Sequence, residues 1–495
     1  MTDMASESPI LGTRQGRATL LLLLGIAFLD FVDASIVNVA LPSIRADLGF
    51  SLEHLQWVLS GYLLTYGGFI LLGGRLADLL GRRRLVVTGT ALFLVSSVSG
   101  GLAQNPGTLV GSRLAQGIGA AMMVPAALSI LTTTFNHPID RGKALGAWGA
   151  LAGLGSAVGV LLGGVLCQYL DWRWVFFVNP PICVVLLLAI FRMLPADHRR
   201  ERMPVDYLGA FLITAAMLLL VYTIVEVPTR GWSADGTIEG LIGTAALLLV
   251  FTVLEARIAN PLFPFSIFRI KGLGEADLTQ TVAMAGFYSM FLFATLYMQN
   301  VLQFSQVKTG LIYLPVTLGV AVGAGIATKL VPSTGTRPLI VGGAVTGAAG
   351  IFWLAQIPVH GHYWTNLFGP LQILSFGLGA LFVGVTTAAQ AGVPEDQAGL
   401  AAAMINASAW LGGALGVATF SAIATSKANH EIAGGASQGA ALTSGFRAAF
   451  LAAAIAIVVA AVIAIRSRNA TADDMQGGRT VEAGDGDLLT EPAGA

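Results

Sequence analysis

The composition of this 495-residue chain is that of a protein embedded in a lipid bilayer. Hydrophobic residues make up 55% of the sequence, charged residues only 11%, and the mean hydropathy is +0.75. A soluble chain carries roughly a quarter charged residues, so a soluble protein is excluded. The net charge is zero, which offers nucleic acid no overall attraction. We therefore predict the lipid bilayer as a partner and no nucleic-acid partner.

Apolar stretches long enough to cross a membrane recur along almost the whole chain. A bilayer core of about 30 Å needs roughly 20 apolar residues of helix. The seventh and eighth stretches are the least certain, and without them the count is twelve. The fourteen predicted helices are 18–41, 55–76, 85–104, 107–134, 143–168, 174–194, 207–227, 238–256, 276–300, 309–331, 337–357, 364–391, 398–425 and 444–466.

These stretches divide the chain into two six-helix sets and a central insert. The first bundle is predicted to span 18–194 and the second 276–466. Residues 195–275 between them carry cytoplasmic loops and the two extra helices. The segments 1–17 and 467–495 lack apolar periodicity, so we predict that both are disordered and cytoplasmic.

Basic residues determine the predicted orientation. An even number of spans places both termini on one side, and basic clusters such as Arg82–Arg84 fall on that side. Cytoplasmic loops carry the excess of Lys and Arg, so both termini are predicted to be cytoplasmic in a multi-pass protein of the inner (cytoplasmic) membrane. The first stretch is too long for a cleaved signal and contains two acids, so we expect it to remain as helix 1.

Two acids one helical turn apart, Asp30 and Asp33, are the most informative residues of helix 1. They share a helix face, and each would cost roughly 2.5–3.5 kcal/mol near the bilayer centre if it pointed at lipid. Two such costs within one turn predict a polar cavity, and two carboxylates so close titrate as a pair. We predict a proton-binding pair, without deciding which acid carries the proton. The alternative is that one of them only pairs with Arg113 for structure.

The turn after helix 2 reads GRLADLLGRRR over residues 74–84. Its glycines permit a tight turn, its acid can meet a nearby cation or helix N-terminus, and its arginines hold the loop inside. A degraded copy, GIATK followed by GTRP, lies at 325–338, and such a repeat builds a transporter with one central site between two halves. The alternative is that Gly and Arg are simply common in short cytoplasmic turns. The predicted gating residues here are Gly74, Asp78, Gly81 and Arg82.

Helices 4 and 5 carry two further patterns. Helix 4 reads LVGSRLAQGIGAA over 109–121, and its Arg113 costs at least ~2.5 kcal/mol unless it faces a partner or a watery cavity. The alternative is that the Arg113 side chain extends to the outer interface of the membrane. Helix 5 reads GSAVGVLLGG over 155–164, a spacing that lets two helix backbones approach closely. The glycines predicted to act in conformational change are Gly155, Gly159, Gly163 and Gly164.

A substrate cavity is predicted from polar, aromatic and methionine side chains within the helices. Methionine and aromatic residues suit a site that accepts ligands of several shapes. Lipid contact or core packing is the alternative for each of them. The predicted cavity residues are Asn38, Gln116, Phe287, Met290, Phe291, Asn406 and Trp410.

The patterns on helices 2, 4 and 5 resemble those of the major facilitator superfamily. Residues 74–84 are similar to its signature GxLADxxGR(R/K), for which the resemblance implies a latch that favours one gate state. Residues 109–121 resemble the pattern on its fourth helix. Residues 155–164 resemble its glycine-rich antiporter signature, in which a proline usually stands where this chain has Val160.

Further segments resemble the fourteen-helix drug:proton antiporter family of that superfamily. They read DASIVNVALP at 33–42, WRWVFFVNPP at 172–181, LYMQN at 296–300, TGLIYLP at 309–315 and NAS followed by LGGALG within 406–416. Ala409 and Trp410 stand where an Arg-Gln pair is common. The resemblance runs over 18–466 and implies that Asp33 is the family's helix 1 acid, whereas Asp30 is additional.

The resemblance implies an all-α membrane protein of the major facilitator fold, with two six-helix bundles and two extra central helices. The implied function is proton-coupled export of amphipathic small molecules, cationic ones among them, by alternating access. The alternative is a dedicated exporter of an endogenous metabolite, antibiotic, siderophore or lipid. We predict a small-molecule substrate and protons as partners, a functional monomer, no metal, and no cofactor beyond the proton gradient.

Other function classes are disfavoured by the motifs that the sequence lacks. It contains no His-Glu-x-x-His pattern, no cysteine–histidine cluster and no nucleotide-binding Gly-x-x-x-x-Gly-Lys-(Ser/Thr) loop, so we predict that the protein is not an enzyme. Cys167 and Cys183 lie in apolar runs and are predicted to pack rather than form a disulfide or bind metal. A sensor or scaffold without transport is the remaining alternative, against which Asp33 and Arg113 argue.

Overall fold

The computed structural model describes residues 10–135, 138–195, 207–231, 233–258, 270, 272–391, 393 and 398–471. Within these ranges fourteen long helices follow one another. They are α1 (Arg14–Leu48), α2 (Trp57–Leu80), α3 (Arg82–Gly101), α4 (Pro106–Thr134), α5 (Pro138–Tyr169), α6 (Asn179–Met193), α7 (Tyr207–Arg230), α8 (Asp235–Glu255), α9 (Leu273–Leu296), α10 (Gln306–Thr334), α11 (Thr336–Leu354), α12 (Phe368–Gln390), α13 (Ala398–Ala433) and α14 (Gln438–Arg466).

The helices match the fourteen apolar stretches in number and order. In the described ranges, eleven helices are long and apolar enough to cross a membrane, and the predicted all-α membrane architecture is confirmed. Disorder was predicted for 1–17 and 467–495; residues 1–9 and 472–495 lie outside the described residues, as do 196–206 and 259–269 of the central insert, whereas α1 already begins at Arg14.

Helix α1 is longer than the predicted span 18–41 at both ends. The Thr13 side chain accepts a hydrogen bond from the Gly16 amide and caps its N-terminus, and Gly49 ends the helix with φ 70°. Side chains of this kind satisfy backbone groups that have no partner inside the helix. The length of the apolar stretch therefore reflects the thickness of the hydrocarbon layer, whereas capping residues determine where the helix begins and ends.

Two six-helix bundles repeat the same packing. In the first, α1 packs on α5, and α4 packs on both α2 and α3; in the second, α9 packs on α13, and α12 packs on both α10 and α11. The pair α3–α6 likewise corresponds to α11–α14. Each helix of the first bundle therefore corresponds to the helix of the second bundle whose number is eight higher. The offset is eight because the six helices of the first bundle and the inserted α7 and α8 precede the second bundle.

The turns that suggested an internal repeat have equivalent geometry in the two bundles. Gly81 before α3 has φ 104°, and Gly335 before α11 has φ 78°, a region that favours glycine. Arg83 donates to the Phe191 carbonyl in the last turn of α6 at 3.1 Å, and Arg337 donates to the Ile465 carbonyl in the last turn of α14 at 3.4 Å. The copy at 325–338 therefore corresponds to the turn at 74–84.

Hydrogen bonds between the bundles lie toward one face of the molecule. We name the face where α1 begins and α14 ends the terminal face, and the opposite one the far face. We call the interface between the two bundles the seam. Three hydrogen bonds cross it near the far face: Gln299 Nε2 to Val39 O (3.0 Å), Gln306 Nε2 to Ser43 Oγ (3.3 Å) and the Val307 amide to Gln168 Oε1 (3.2 Å). These contacts hold the bundles together at the far face.

The two inserted helices form a pair beside the seam. Helix α7 packs on α8 and also on α2 and α13, which belong to different bundles. The Thr214 hydroxyl of α7 donates to the Gly68 carbonyl of α2 at 3.4 Å, and the ring centroids of Tyr222 and Trp57 are 6.4 Å apart. The insert therefore covers the line where α2 meets α13.

Candidate proton and substrate site

Asp33 lies at the centre of a polar network inside the first bundle. Its Oδ2 accepts a 2.6 Å hydrogen bond from Arg113 Nη1, and its Oδ1 accepts from Asn179 Nδ2 at 2.7 Å and from Gln116 Nε2 at 3.2 Å. All four side chains are fully buried. Buried charges persist in proteins when they are paired and hydrogen-bonded, and this ion pair meets both conditions.

The Arg113 side chain is oriented by contacts beyond its acid. Its Nε donates to the Val58 carbonyl at 3.0 Å, and its Nη1 also donates to Gln116 Oε1 at 2.9 Å. The guanidinium carbon lies 4.3 Å from the centroid of the Tyr62 ring, a cation–π geometry. Arg113 thus points into the bundle between α1, α2 and α4, and it does not extend to the membrane interface.

Asp30 has partners of a different kind. Its two oxygens accept hydrogen bonds from the hydroxyls of Tyr62, at 2.6 Å, and Tyr66, at 3.1 Å. The side chain is 1% exposed. In the described part of the chain it has no cation within ion-pair distance. The two acids of helix 1 are therefore close in sequence but differ in environment. Asp33 has a counter-ion, whereas Asp30 accepts hydrogen bonds from two tyrosine hydroxyls.

Aromatic residues of the second bundle close over the Asp30 tyrosines. Trp410 of α13 stacks on Tyr66 with ring centroids 4.4 Å apart and an interplanar angle of 27°. It meets Tyr62 edge-on at 6.2 Å and Tyr288 of α9 at 5.8 Å. A Cβ added at Gly67 would lie 3.1 Å from the Trp410 Cβ. The seam between α2 and α13 is therefore tight at the level of Asp30.

The predicted glycines of helix 5 lie where other helices come closest. A Cβ at Gly159 would contact the Ser35 hydroxyl and lie 2.6 Å from the Val32 carbonyl, and Gly155 and Gly163 also face α1. Gly164 faces the second bundle, where a Cβ would lie 2.6 Å from the Gln306 carbonyl. Three of the glycines thus pack α5 on α1, and the fourth lies at the closed seam.

The predicted gating turn is tied to the ends of neighbouring helices. Arg82 Nη1 donates to the Thr133 hydroxyl at 2.8 Å near the end of α4. Gly81 supplies the positive φ of the turn, and Gly74 lies in α2, near Pro125 of α4. The side chain of Asp78 lies outside the described residues, so the latch implied by the resemblance stays a prediction.

The predicted cavity residues fall into separate places. Gln116 belongs to the Asp33 network and Trp410 to the aromatic cover, while Asn406 is exposed on α13. Asn38 is half-buried and donates to carbonyls of its own helix at 3.3 Å. Phe287 packs against Gly347 within the second bundle. Met290 is fully buried, and the Phe291 ring lies 5.4 Å from that of Tyr313.

Several residues of the site escaped sequence reasoning. Asn179 and Ser97 complete the Asp33 network, in which the Ser97 hydroxyl accepts from Gln116 at 2.8 Å. Tyr62 and Tyr66 hold Asp30, and their spacing of four residues on one helix face was an available signal. Asn179 lies in the segment at 172–181 that resembles the antiporter family, although no role followed from that resemblance.

The other bundle also contains a buried acid. Asp277 of α9 is 8% exposed, and one of its oxygens accepts a 3.2 Å bond from the Ser408 hydroxyl of α13. Its other oxygen has no partner among the described residues. This carboxyl is therefore enclosed between α9 and α13.

A Gly-x-Ser-x-Gly pattern and two cysteines could indicate chemistry other than transport, but the structure gives them structural roles. The segment GASQG at 435–439 fits the pattern Gly-x-Ser-x-Gly, but Ser437 accepts a hydrogen bond from the Ala440 amide and caps α14. Cys167 and Cys183 are free thiols, in line with the predicted packing role. In the described ranges no three His, Cys, Asp or Glu side chains are grouped for metal binding.

Two repeated six-helix bundles, with a buried ion pair beside their seam, define a membrane transporter of the two-bundle class. The family model of the Major Facilitator Superfamily matches residues 23–417, and the chain belongs to this superfamily. Its fold and family indicate transport of small molecules rather than catalysis.

Curated relatives of this chain include antibiotic resistance and export proteins. The puromycin resistance protein pur8 of Streptomyces alboniger is 39% identical over 82% of this chain and 81% of that protein. The cephamycin export protein CmcT of Amycolatopsis lactamdurans is 38% identical over 79% and 81%. The tetracenomycin C resistance and export protein of Streptomyces glaucescens is 32% identical over 80% and 73%. The resemblance drawn from the sequence motifs is thus confirmed.

Solved structures with the same fold are more distant in sequence. A bacterial homolog of the human lysosomal transporter Spinster, in an inward-facing and occupied conformation, superposes with a TM-score of 0.66 at 17% identity, covering 92% of this chain and 97% of that one. The D-xylose-proton symporter superposes with a TM-score of 0.62 at 15% identity, covering 92% and 99%. At such identities the likeness concerns the fold alone.

Proposed function

We propose that this protein is a proton-coupled secondary active exporter of amphipathic small molecules, cationic ones among them. The observation that carries the proposal is the buried Asp33–Arg113 pair, with a second buried carboxyl one turn away beside the seam of two bundles. Charges inside a membrane are expensive, and they mark proton or substrate pathways. The relatives named for antibiotic resistance and export support an outward direction of transport.

Alternating access follows from rocking of the two bundles, 18–194 and 276–466, about this site. The seam bonds near the far face correspond to one end state, which is open toward the terminal face. Gly164, which faces Gln306 of the second bundle, and the turn at 74–84 let the bundles exchange contacts as they rock. A proton moving down its gradient supplies about 2.3 kcal/mol per 100 mV of membrane potential, so no nucleotide or metal is required.

The proposed location is the inner (cytoplasmic) membrane, with both termini in the cytoplasm. The excess of basic residues on the terminal face supports this orientation. The far face is then the outside, and the conformation described above is the one that loads substrate from the cytoplasm. We further propose that a single chain is functional, because both halves of the transport path lie in one polypeptide.

A dedicated exporter of one metabolite is the second candidate. It is favoured by the relatives whose names specify single antibiotics, namely puromycin, cephamycin and tetracenomycin C. The coupling site would be the same in both cases, and the difference would be in the range of molecules that the cavity accepts.

Transport by purified protein in liposomes tests the proposal. A pH gradient is imposed, and movement of ethidium, puromycin and several neutral amphiphiles is followed for wild type and Asp33→Asn. We expect gradient-driven movement of at least one compound, and its loss in the variant because Arg113 then lacks its counter-ion. Movement of several unrelated compounds favours multidrug export, and movement of one favours the dedicated exporter.

The control is Asp235→Asn, which makes the same chemical change at an exposed position in the first turn of α8. This variant should transport like wild type. If folded wild-type protein moves no compound of the panel, multidrug export is refuted and the dedicated exporter is favoured; if movement is indifferent to the pH gradient, proton coupling is refuted.

A further inference from the structure

We propose that Asp30, rather than Asp33, is the carboxyl that exchanges the transported proton, and that Trp410 of the opposite bundle is the cover that controls access to it. This inference rests on the proposed function and specifies how its coupling works. It assigns different tasks to two acids that share one helix face.

The bonding of Asp33 suits a fixed charge. Its two oxygens receive one guanidinium and two amide donors. A proton added to this carboxyl would displace one of these donors and leave Arg113 buried without its counter-charge. Because Arg113 is also held by a backbone carbonyl and the Tyr62 ring, it cannot turn toward another acid without losing these contacts.

Asp30 can be hydrogen-bonded with or without its proton. The hydroxyls of Tyr62 and Tyr66 donate to the carboxylate, and a hydroxyl can instead accept from a protonated carboxyl after rotation about its C–O bond. Gain or loss of the proton therefore preserves a hydrogen bond between the carboxyl and each tyrosine. The charged and titratable groups that face Asp30 from the surrounding helices are Asp33 on α1, Arg113 on α4, Tyr62 and Tyr66 on α2 and Tyr288 on α9.

The cover over Asp30 comes from the other half of the protein. Asp30 and both tyrosines belong to the first bundle, whereas Trp410, stacked on Tyr66, belongs to the second. Asn406 lies one turn from Trp410 on the same face of α13, toward the terminal face, and it is exposed. Exposure along this face of α13 thus changes to burial between Asn406 and Trp410.

Rocking of the bundles changes this cover directly. When α13 moves away from α2 to open the far face, the Trp410 ring leaves Tyr66, and Asp30 becomes accessible from that side. The carboxylate then accepts a proton from water. As the far face closes, the proton is returned to water at the terminal face before the Trp410 ring stacks again on Tyr66. Proton access is thereby linked to the conformation that moves the substrate.

The test separates substrate exchange from proton drive in liposomes. Counterflow of labelled ethidium or puromycin needs alternating access and no net proton movement, whereas uphill accumulation needs the proton. We expect Asp30→Asn to retain counterflow and to lose accumulation, so that its internal-to-external ratio falls to about 1. Asp33→Asn should lose both. Retained accumulation in Asp30→Asn, or an Asp33→Asn variant that loses only the proton drive, overturns the assignment.

Trp410 is tested by its own pair of variants. Trp410→Ala should let protons leak in the absence of substrate, seen with a pH dye trapped inside the liposomes, while Trp410→Phe should stay tight because a ring still covers Tyr66. Equal leak rates in wild type and Trp410→Ala would refute the covering role.

A measurement without substrate keeps this proposal distinct from the proposed function. The infrared carbonyl band of a protonated carboxyl should titrate with pH in wild type and in Asp235→Asn, and it should be reduced in Asp30→Asn. If wild type transports nothing but the band depends on Asp30, only the proposed function fails. If the band is unchanged in Asp30→Asn, the assignment of the proton to Asp30 fails.

Discussion

The Asp33–Arg113 pair should be the most strongly coupled polar interaction of the first bundle. Arg113→Gln removes the ion-pair partner of a fully buried carboxylate, together with the bond to the Val58 carbonyl. Breaking a buried pair by removing one partner costs about 3–5 kcal/mol. For a cooperative unit of 150–250 residues, each kcal/mol lowers the melting temperature by about 2–4 °C, so we expect a loss of roughly 6–20 °C. Asp33→Asn should cost a similar amount.

The double variant Asp33→Asn/Arg113→Gln carries neither charge, so it should be less destabilised than the sum of the singles by about 2–3 kcal/mol. Unfolding of detergent-solubilised protein, followed by tryptophan fluorescence, measures all four members of the cycle. The exposed pair Lys427–Glu431 provides the control, because exposed ion pairs contribute little and neither its singles nor its double should change the melting temperature measurably. Additive single effects at Asp33 and Arg113 would refute the reasoning.

Two further predictions concern the packing of helices. Gly159→Val should lower the melting temperature clearly, because the new side chain meets the Ser35 hydroxyl and the Val32 carbonyl of α1 and overpacking costs typically 1–3 kcal/mol. The control Gly111→Val, at a position with open space around it, should lower the melting temperature only slightly. Equal losses in the two variants would contradict the close approach of α5 to α1. Replacing Gln299 and Gln306 by Ala removes two seam bonds worth about 1 kcal/mol each, which shifts the equilibrium roughly 30-fold toward opening at the far face. In protein whose native cysteines have been replaced, the reporter variant Val307→Cys, at a seam position that uses only its backbone amide, should then react faster with an impermeant maleimide, and an unchanged rate would show that these bonds do not hold the seam.

The number and order of the helices could be predicted from the sequence because the bilayer imposes a length on every apolar stretch. Even the doubtful stretches 207–227 and 238–256 correspond to helices α7 and α8. Their position could not be predicted, since lipid-facing helices carry no signal for their neighbours. The contact of α7 with both α2 and α13 depends on residues such as Thr214 and Tyr222, which are ordinary in a membrane helix.

The candidate site could be predicted in part for a similar reason. Asp30, Asp33 and Arg113 were identified because a charge inside an apolar stretch is costly and therefore conspicuous. Asn179 and Tyr62 are neutral and carry no such cost, so a search for costly charges inside apolar stretches does not find them. The tertiary fold decides which residues contact each acid. Asn179 is 146 residues from Asp33 along the chain, yet a 2.7 Å hydrogen bond joins their side chains.

Two departures from the antiporter pattern meet in one place, and each helps to explain the other. Asp30 is an acid that the family's helix 1 pattern does not include, and Trp410 stands where the second residue of an Arg-Gln pair is common. In the folded chain they are connected through Tyr66, which donates to Asp30 at 3.1 Å and stacks on Trp410 at 4.4 Å. An extra acid beside the seam needs protection from water in at least one conformation, and a large ring from the opposite bundle supplies that protection. The glutamine that is common at this position has no ring that could stack on Tyr66. The aromatic replacement is therefore the one that covers the tyrosines that hold Asp30.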